Sequence, residues 1–341
     1  MAFNRILDVY VIDVDVDANG VCTAGEAVKV VGKNADTGEQ ALDADCSIQR
    51  SNRARYNTAA IKIYNLPLEM RTKVEQHNRL IRIDAGYEDE GFGTWFYGQI
   101  ITAFSTPLST GDFETTIQAM QFRAINMAFE SLYVSMQYKS GTNLMKIVSD
   151  IGALLGVSVI GLKNADIVTP HGFVHTGQMK LALDYVAKIL RPEGKAIFYD
   201  LGEIVVYNVG QATSEFEEVY LDNECGLLEA KIESNPAKEE RLVVRAKARQ
   251  ERARRRYDKV KSADGRTRID QSIKAAQLQV DESKRIRVNF KCLFNHRLRP
   301  NCLVQISHGT INGDYCLDDA TAKLSSWADD FCIEGTASRD G

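Results

Sequence analysis

Apolar and polar positions alternate through the opening third of the chain, the period of two that marks strands with one buried face. Ile6 to Val16 carries Val9, Val11, Val14 and Val16 between aspartates, and Ala18-Asn-Gly20 supplies a turn. Short strands follow at Ala27–Val31, Cys46–Arg50 and Ala59–Tyr64, separated by a polar loop over Gly32–Asp43 and a polar tip over Ser51–Asn57. At Leu66 the period changes. Leu66, Met70 and Val74 stand four apart, and Pro67 sits in the opening turn where a missing N–H costs nothing, so the spacing predicts a short helix to His77.

The segment from 61 to about 122 recurs loosely from 286 to about 336. The first copy reads Ile61-Lys-Ile-Tyr-Asn-Leu-Pro67, Leu80-Ile-Arg-Ile-Asp-Ala-Gly-Tyr87, Trp95-Phe-Tyr-Gly98-Gln-Ile100 and Thr115-Thr-Ile-Gln-Ala119. The second reads Val288-Asn-Phe-Lys-Cys-Leu-Phe-Asn295, Cys302-Leu-Val-Gln-Ile-Ser307, Asn312-Gly-Asp-Tyr-Cys316 and Phe331-Cys-Ile-Glu-Gly335. Each predicts a strand ending in an Asn-containing turn, a second strand, and a closing hairpin.

Between the copies the period becomes helical. Leu144, Ile147, Val148, Ile151 and Leu155 form one stripe, with Thr142 as the expected cap of a helix from Asn143 and Gly156 as its end. A second helix is expected from Met179 to Leu190, with Leu181, Leu183, Val186, Ile189 and Leu190 facing inward and Pro192 closing it. Val157–Ile160 and an Ala196–Tyr207 hairpin turning at Asp200–Glu203 complete an α+β insert. The expected architecture is therefore mainly β with an α+β insertion: a β domain over 1–130, the insert over 131–215, and a second β domain over 216–341 with a basic excursion at 238–285. Within that excursion Arg241–Arg249 alternates like a half-exposed strand, yet its Ala, Arg and Glu content suits a helix continuing through Arg256 equally well.

Charge changes the picture only locally. The net charge is -4, but Lys238–Arg287 holds 17 basic and 8 acidic residues, so this stretch carries +9 and the remainder -13. Arg252, Arg254, Arg255 and Arg256 mark a candidate partner-binding arm; acids interrupt it and no aromatics interleave, which argues against a nucleic-acid patch. The 44% hydrophobic and 26% charged composition is that of a globular protein, and no apolar run approaches the roughly 18 residues of a membrane span. The start, Met1-Ala-Phe-Asn-Arg-Ile-Leu, lacks the layout of a signal peptide, so synthesis in a cytoplasm is expected.

Candidate chemistry is sparse. The seven cysteines include no C-x-x-C pair, which argues against zinc and for buried thiols acting as small apolar groups. Asp13-Val-Asp-Val-Asp17 imitates a calcium loop but has Ala18 and Ala24 where glycine and glutamate are required. His171 and His175 lie in a Pro- and Gly-bounded loop without a neighbouring carboxylate. No nucleophile elbow, phosphate loop or H-E-x-x-H segment occurs, so no enzyme, cofactor or metal is expected. Trp95 and Trp327 suit sheet core better than sugar-stacking platforms.

Asn65-Leu-Pro67 with Arg71, Ala85-Gly86-Tyr87 and Phe96-Tyr-Gly98-Gln-Ile100 resemble the first half of the central baseplate hub proteins of tailed bacteriophages, the contractile type favoured. Gly226-Leu-Leu, Leu293-Phe-Asn295 with Leu298 and Pro300, Asn312-Gly313 with Tyr315, and Trp327 resemble the second half. The resemblance implies a homotrimer in which two tail-tube-like β domains per subunit make a pseudo-sixfold ring. Such a hub joins the hexameric tail tube protein to the trimeric central spike protein, meets baseplate wedge proteins, and surrounds the channel for tape measure protein and DNA during genome ejection. It also implies a virion location without membrane insertion and DNA passage without sequence-specific binding; an acidic lumen would let DNA slide without sticking, and the -13 remainder fits one. Asn65 and Asn295 would end strands, Gly86 and Gly313 permit close turns, and Tyr87 and Tyr315 pack beneath them. The family usually has glycine near Pro300-Asn301-Cys302; Asn tolerates a left-handed turn there. A related injection or secretion apparatus hub and a glycan-binding tail protein are the alternatives.

Overall fold

The computed structural model describes residues 4–16, 22–32, 42–52, 57–76, 79–121, 133–169, 171–233, 236–257 and 285–339, with short pieces at 269–270, 273–274 and 277. The expected turn at Ala18–Gly20 and most of the loops at 32–43 and 51–57 lie outside the described residues.

The first β unit contains β1 (Arg5–Val16), β2 (Cys22–Val31), β3 (Ala44–Ser51), β4 (Thr58–Tyr64), β5 (Arg79–Tyr87), β6 (Gly91–Pro107) and β7 (Phe113–Met120). Helix α1 (Leu68–Glu75) links β4 to β5; Leu66 precedes it and Val74 is its buried residue. The insert contains β8 (Tyr133–Tyr138), α2 (Leu144–Leu155), β9 (Ser158–Ile160), β10 (Phe173–Gln178), α3 (Met179–Leu190), β11 (Lys195–Asp200) and β12 (Glu203–Asn208). The second β unit contains β13 (Val219–Leu221), β14 (Leu227–Glu233), β15 (Ile286–Leu293), β16 (Leu303–His308), β17 (Ile311–Ser325) and β18 (Phe331–Arg339), with helix α4 (Pro236–Tyr257) between β14 and β15.

Mainly β with an α+β insertion is the observed fold, and the repeat is visible as topology. The first unit orders its strands β3-β4-β7-β6-β5-β1-β2, and the second β14-β15-β18-β17-β16-β13. One reversal distinguishes them: β1 runs antiparallel to β5, whereas β13 runs parallel to β16. The two units are one continuous sheet, because the second half of β17 pairs antiparallel with β3 from Asp319↔Ser51 to Ser325↔Asp45. A single apolar core spans both units, with Ile48, Ile61, Ile83 and Phe96 from the first and Val288, Val304, Leu317 and Ile333 from the second.

The insert has its own core around Ile147, Ile151, Phe173, Val186 and Leu190. Its β11–β12 hairpin is a shared wall. Ile204 and Val206 face the helices, whereas Phe198, Val205 and Tyr207 join the main core, the alternation that a strand imposes on its two faces. Two expectations shift. Asn143, not Thr142, caps α2, its side chain accepting from the Met145 amide at 2.9 Å, because an N-cap oxygen must stand two or three residues before the amide it receives. Leu181 is 51% exposed, and Met179, Ala182, Leu183, Val186 and Leu190 form the buried stripe. The open choice over Arg241–Arg249 resolves as helix.

Candidate interface site at the junction of the three units

β3 ends at Ser51, β11 ends at Asp200, and the 294–302 stretch follows β15. These three places meet around one carboxylate. Asp200 has no exposed side-chain surface and faces two arginines, one from each β unit. Arg50, equally buried, approaches it with both prongs, Nε to Oδ1 at 3.0 Å and Nη2 to Oδ2 at 2.5 Å. Arg299 donates from Nε to Oδ2 at 2.9 Å and from Nη2 to Glu203 Oε2 at 2.9 Å. Asn57 adds a bond to Asp200 Oδ1 at 3.3 Å and reaches Gln121 at 2.6 Å. Two arginines and two carboxylates sum to zero charge, the condition under which ions tolerate burial. Burial pulls the Arg50 guanidinium below its ordinary range while Asp200 opposes that pull. For Arg299 desolvation is outweighed by its two carboxylate neighbours, so its pKa is raised.

Aromatic rings extend this knot along a seam between the two β units. Arg50 lies 4.8 Å from the Trp95 ring centre, Trp95 packs edge-on to Phe294 at 5.5 Å, and Phe294 to Phe331 at 5.4 Å. Tyr87 closes the series against Phe331 at 5.4 Å, its hydroxyl donating to the Phe331 carbonyl at 3.5 Å. T-shaped pairs of this kind add to plain area burial. Trp95, Phe294 and Phe331 are buried, so Trp95 serves the seam and offers no platform to a sugar.

The positions singled out in the sequence divide between this seam and the strand ends. Asn65 has φ 57° and grips the turn before β7, accepting from the Phe113 amide at 3.1 Å and donating to Asp112 at 3.1 Å. Pro67 precedes α1, and its carbonyl accepts from the Arg71 amide. Gly86 admits no side chain, since a Cβ there would stand 2.3 Å from the Gly91 carbonyl oxygen, and a Cβ on Gly98 would stand 2.6 Å from that of Met120. Asn295 accepts from the Arg297 amide at 3.0 Å. Pro300 is buried ahead of Asn301, whose φ of 70° is the left-handed turn and whose side chain donates to Thr213 at 2.6 Å. Gly313 lies beside the Arg339 guanidinium, which in turn stacks 4.9 Å over buried Tyr315. Trp327 is 63% exposed in the turn between β17 and β18. Arg252, Arg254, Arg255 and Arg256 are exposed on α4. Arg50, Asp200 and Arg299 escaped sequence reasoning, because Arg50 and Arg299 lie 150 and 99 residues from Asp200 and charges at strand ends read as ordinary surface.

The sheet formed by β14, β15, β18, β17, β3, β4, β7 and the second half of β6 presents an open face. It carries Ser47, Gln49, Lys62, Thr116, Gln118, Asn289, Thr321 and Thr336, with ion pairs Lys62–Glu114 at 3.2 Å, Lys323–Glu334 at 2.9 Å and Lys231–Glu229. Among the described residues no group could hold a metal ion, and no helix is long and apolar enough to cross a membrane. Cys46, Cys225, Cys292, Cys302, Cys316 and Cys332 are free, and all but Cys225 are buried.

No family model and no curated protein matches the sequence. Solved structures do match over nearly the whole chain. The tail protein from Neisseria meningitidis MC58 aligns at TM-score 0.57 and 12% identity, covering 99% of this chain and 98% of that one. The chain has the fold of a phage tail protein. A 43 kDa tail protein of prophage MuSo2 from Shewanella oneidensis aligns at TM-score 0.54 and 9% identity over 99% and 97%. The tail-protein fold also overlays the Francisella PdpA–VgrG complex at TM-score 0.52 and 8% identity, covering 98% of this chain and 58% of that one.

Proposed function

We propose that three copies of this chain close into a pseudo-sixfold ring that serves as the baseplate hub of a phage tail. One junction inside the chain carries the reading. The second half of β17 pairs with β3, and their topological equivalents in the other units are the second half of β6 and β14. Among the described strands, β6 from residue 101 to 107 pairs only with β7, and β14 pairs only with β15. Laying β14 of one copy along β6 of the next repeats the internal junction between copies. Three internal and three external junctions then alternate around a closed barrel, which leaves no bare edge on this sheet. Each half of every subunit meets a sixfold tube protein equivalently, while the subunits themselves match a threefold spike.

In this ring the open polar face lines the channel. On this reading the lumen is close to neutral instead of acidic: the face is rich in Ser, Thr, Asn and Gln, and three of its lysines pair with glutamates. Carboxylates gather instead at the β5–β6 turn and the 217–224 stretch, where Glu90, Glu218 and Glu224 line one groove. A neutral hydroxyl- and amide-lined wall offers a passing polyanion neither attraction nor strong repulsion, so tape measure protein and DNA move through without sequence-specific binding. The hub acts in the virion after synthesis in the host cytoplasm, and its role is structural. The likeness to VgrG supports a second reading, the equivalent hub of a secretion apparatus.

Light scattering across concentration, with negative-stain class averages, tests the ring. A threefold mass and an annulus of apparent sixfold outline are expected. A monomer that stays monomeric when mixed with its cognate tube and spike proteins would overturn the reading.

A further inference from the structure

The connection between β14 and β15 is far longer than its counterpart between β3 and β4, and its first part is the 22-residue helix α4. From residue 243 onward, where the side chains of that helix are described, the least exposed are Val243, Ala246, Gln250, Ala253 and Tyr257. They recur at three- and four-residue intervals, the seam of a helix packed along one side. Gln250 donates across that seam to Gln277 at 3.2 Å, and the described pieces between 269 and 277 are helical. The returning stretch is tied to the insert by Lys274 with Glu193 at 2.7 Å, and beyond it Arg285 donates to the Val209 carbonyl at 2.8 Å. α4 is therefore held in a fixed position with one face covered.

Its basic residues are not scattered evenly over the rest. At about 100° per residue, Arg245, Arg252 and Arg256 fall within about 40° of each other, roughly 120° from the covered seam. All three are exposed. Arg249 sits on the same line and already has an interaction within the molecule. Lys247 and Arg254 point to the other flank, and Arg255 is paired with Glu251 at 2.5 Å. The line is straight and about 16 Å long. Guanidinium groups on it can each take a carboxylate with two parallel bonds.

We propose that Arg245, Arg252 and Arg256 form a docking stripe for an acidic helix of a partner protein, one that carries carboxylates seven and four residues apart along one face. Charge complementarity and spacing both select such a helix. A nucleic acid fits less well, since Glu251 interrupts the basic run and no aromatic side chain on the stripe offers a base a stacking surface. The inference is independent of ring closure, because the stripe belongs to one chain.

Fluorescence anisotropy on the full chain tests it with three probes: an alanine-rich helical peptide with glutamates aligned at the stated spacing, a peptide of identical composition with the glutamates dispersed around the helix, and a short DNA duplex. The aligned peptide is expected to bind about tenfold more tightly than the dispersed one. The triple variant Arg245→Gln, Arg252→Gln, Arg256→Gln should lose that advantage, whereas Lys247→Gln with Arg254→Gln should keep it. Circular dichroism confirms that both variants retain α4. Equal affinity for the two peptides, tighter binding to the duplex, or equal losses in the two variants would each overturn the proposal, as would no binding of the aligned peptide.

Discussion

The group around Asp200 has no net charge once both arginines and Glu203 are counted, yet removing the charge of Asp200 exposes what its partners depend on. Asp200→Asn leaves Arg50 buried with an amide in place of a carboxylate and should cost about 3–5 kcal/mol of stability, read by urea unfolding. Replacing Arg299, which keeps some solvent exposure, should cost less, since water can reach Asp200 from that side. Tyrosines add a pH dependence. Burial raises Tyr87 to about 12, and burial with the Asp150 bond raises Tyr138 to about 12. A raised phenol binds its proton more tightly folded than unfolded. Above pH about 10 the unfolded chain holds fewer protons, so stability should be constant below that pH and fall beyond it. Alkaline titration followed by tyrosine absorbance should show these two phenols ionising with unfolding rather than before it. Thiols behave alike: burial pushes Cys302 to about 11 and Cys292 to about 12. Of Cys46, Cys225, Cys292, Cys302, Cys316 and Cys332 only Cys225 should react with iodoacetamide in the native protein, as peptide mass mapping would show. The repeat's asparagines were readable in the sequence because a turn's demands are local, whereas Gly86 and Gly313, expected at close turns, lie within β5 and β17, where a neighbouring strand or side chain leaves no room for a Cβ. The Arg50–Asp200–Arg299 group was not, because nothing local distinguishes a paired buried arginine from a solvated one.

At the scale of elements, helices with a wide apolar stripe declared themselves and their edges did not. α2 was legible from Leu144, Ile147, Val148 and Ile151, but the cap moved from Thr142 to Asn143, since both residues can cap and only backbone geometry chooses. Asn143→Ala should lower the stability of the insert by about 1 kcal/mol with the β units unaffected, measurable by hydrogen exchange of α2 amides against those of β4. Leu181 was expected inside; it lies on the fringe of the α3 stripe, where a modest rotation of the helix decides between core and water. α4 was ambiguous for a different reason. Alternating Arg and Ala satisfy both a period of two and a helical surface, and contacts such as that of Gln250 with Gln277 fall outside any window over 241–249.

For the whole molecule, ring closure has a direct consequence at the two bare edges. Phe104 on β6 and Ile232 on β14 are 50% and 53% exposed in the single chain. Phe104→Asp or Ile232→Asp should therefore reduce the trimer mass in light scattering while leaving the melting temperature of the monomer within a few degrees, because neither side chain belongs to the monomer core. From the order of its apolar positions alone, the chain determined its strands, its helical insert and the twofold recurrence of one small sheet unit, since each of these repeats a local period that backbone geometry imposes. Only the tertiary structure decided that β17 adds β3 to its edge, that Asp200 and Glu203 together neutralise two arginines from different units, and that the open face is close to neutral. Those outcomes depend on residues brought together from distant parts of the chain, and pairing between strand edges is made by backbone groups that nearly every residue carries alike.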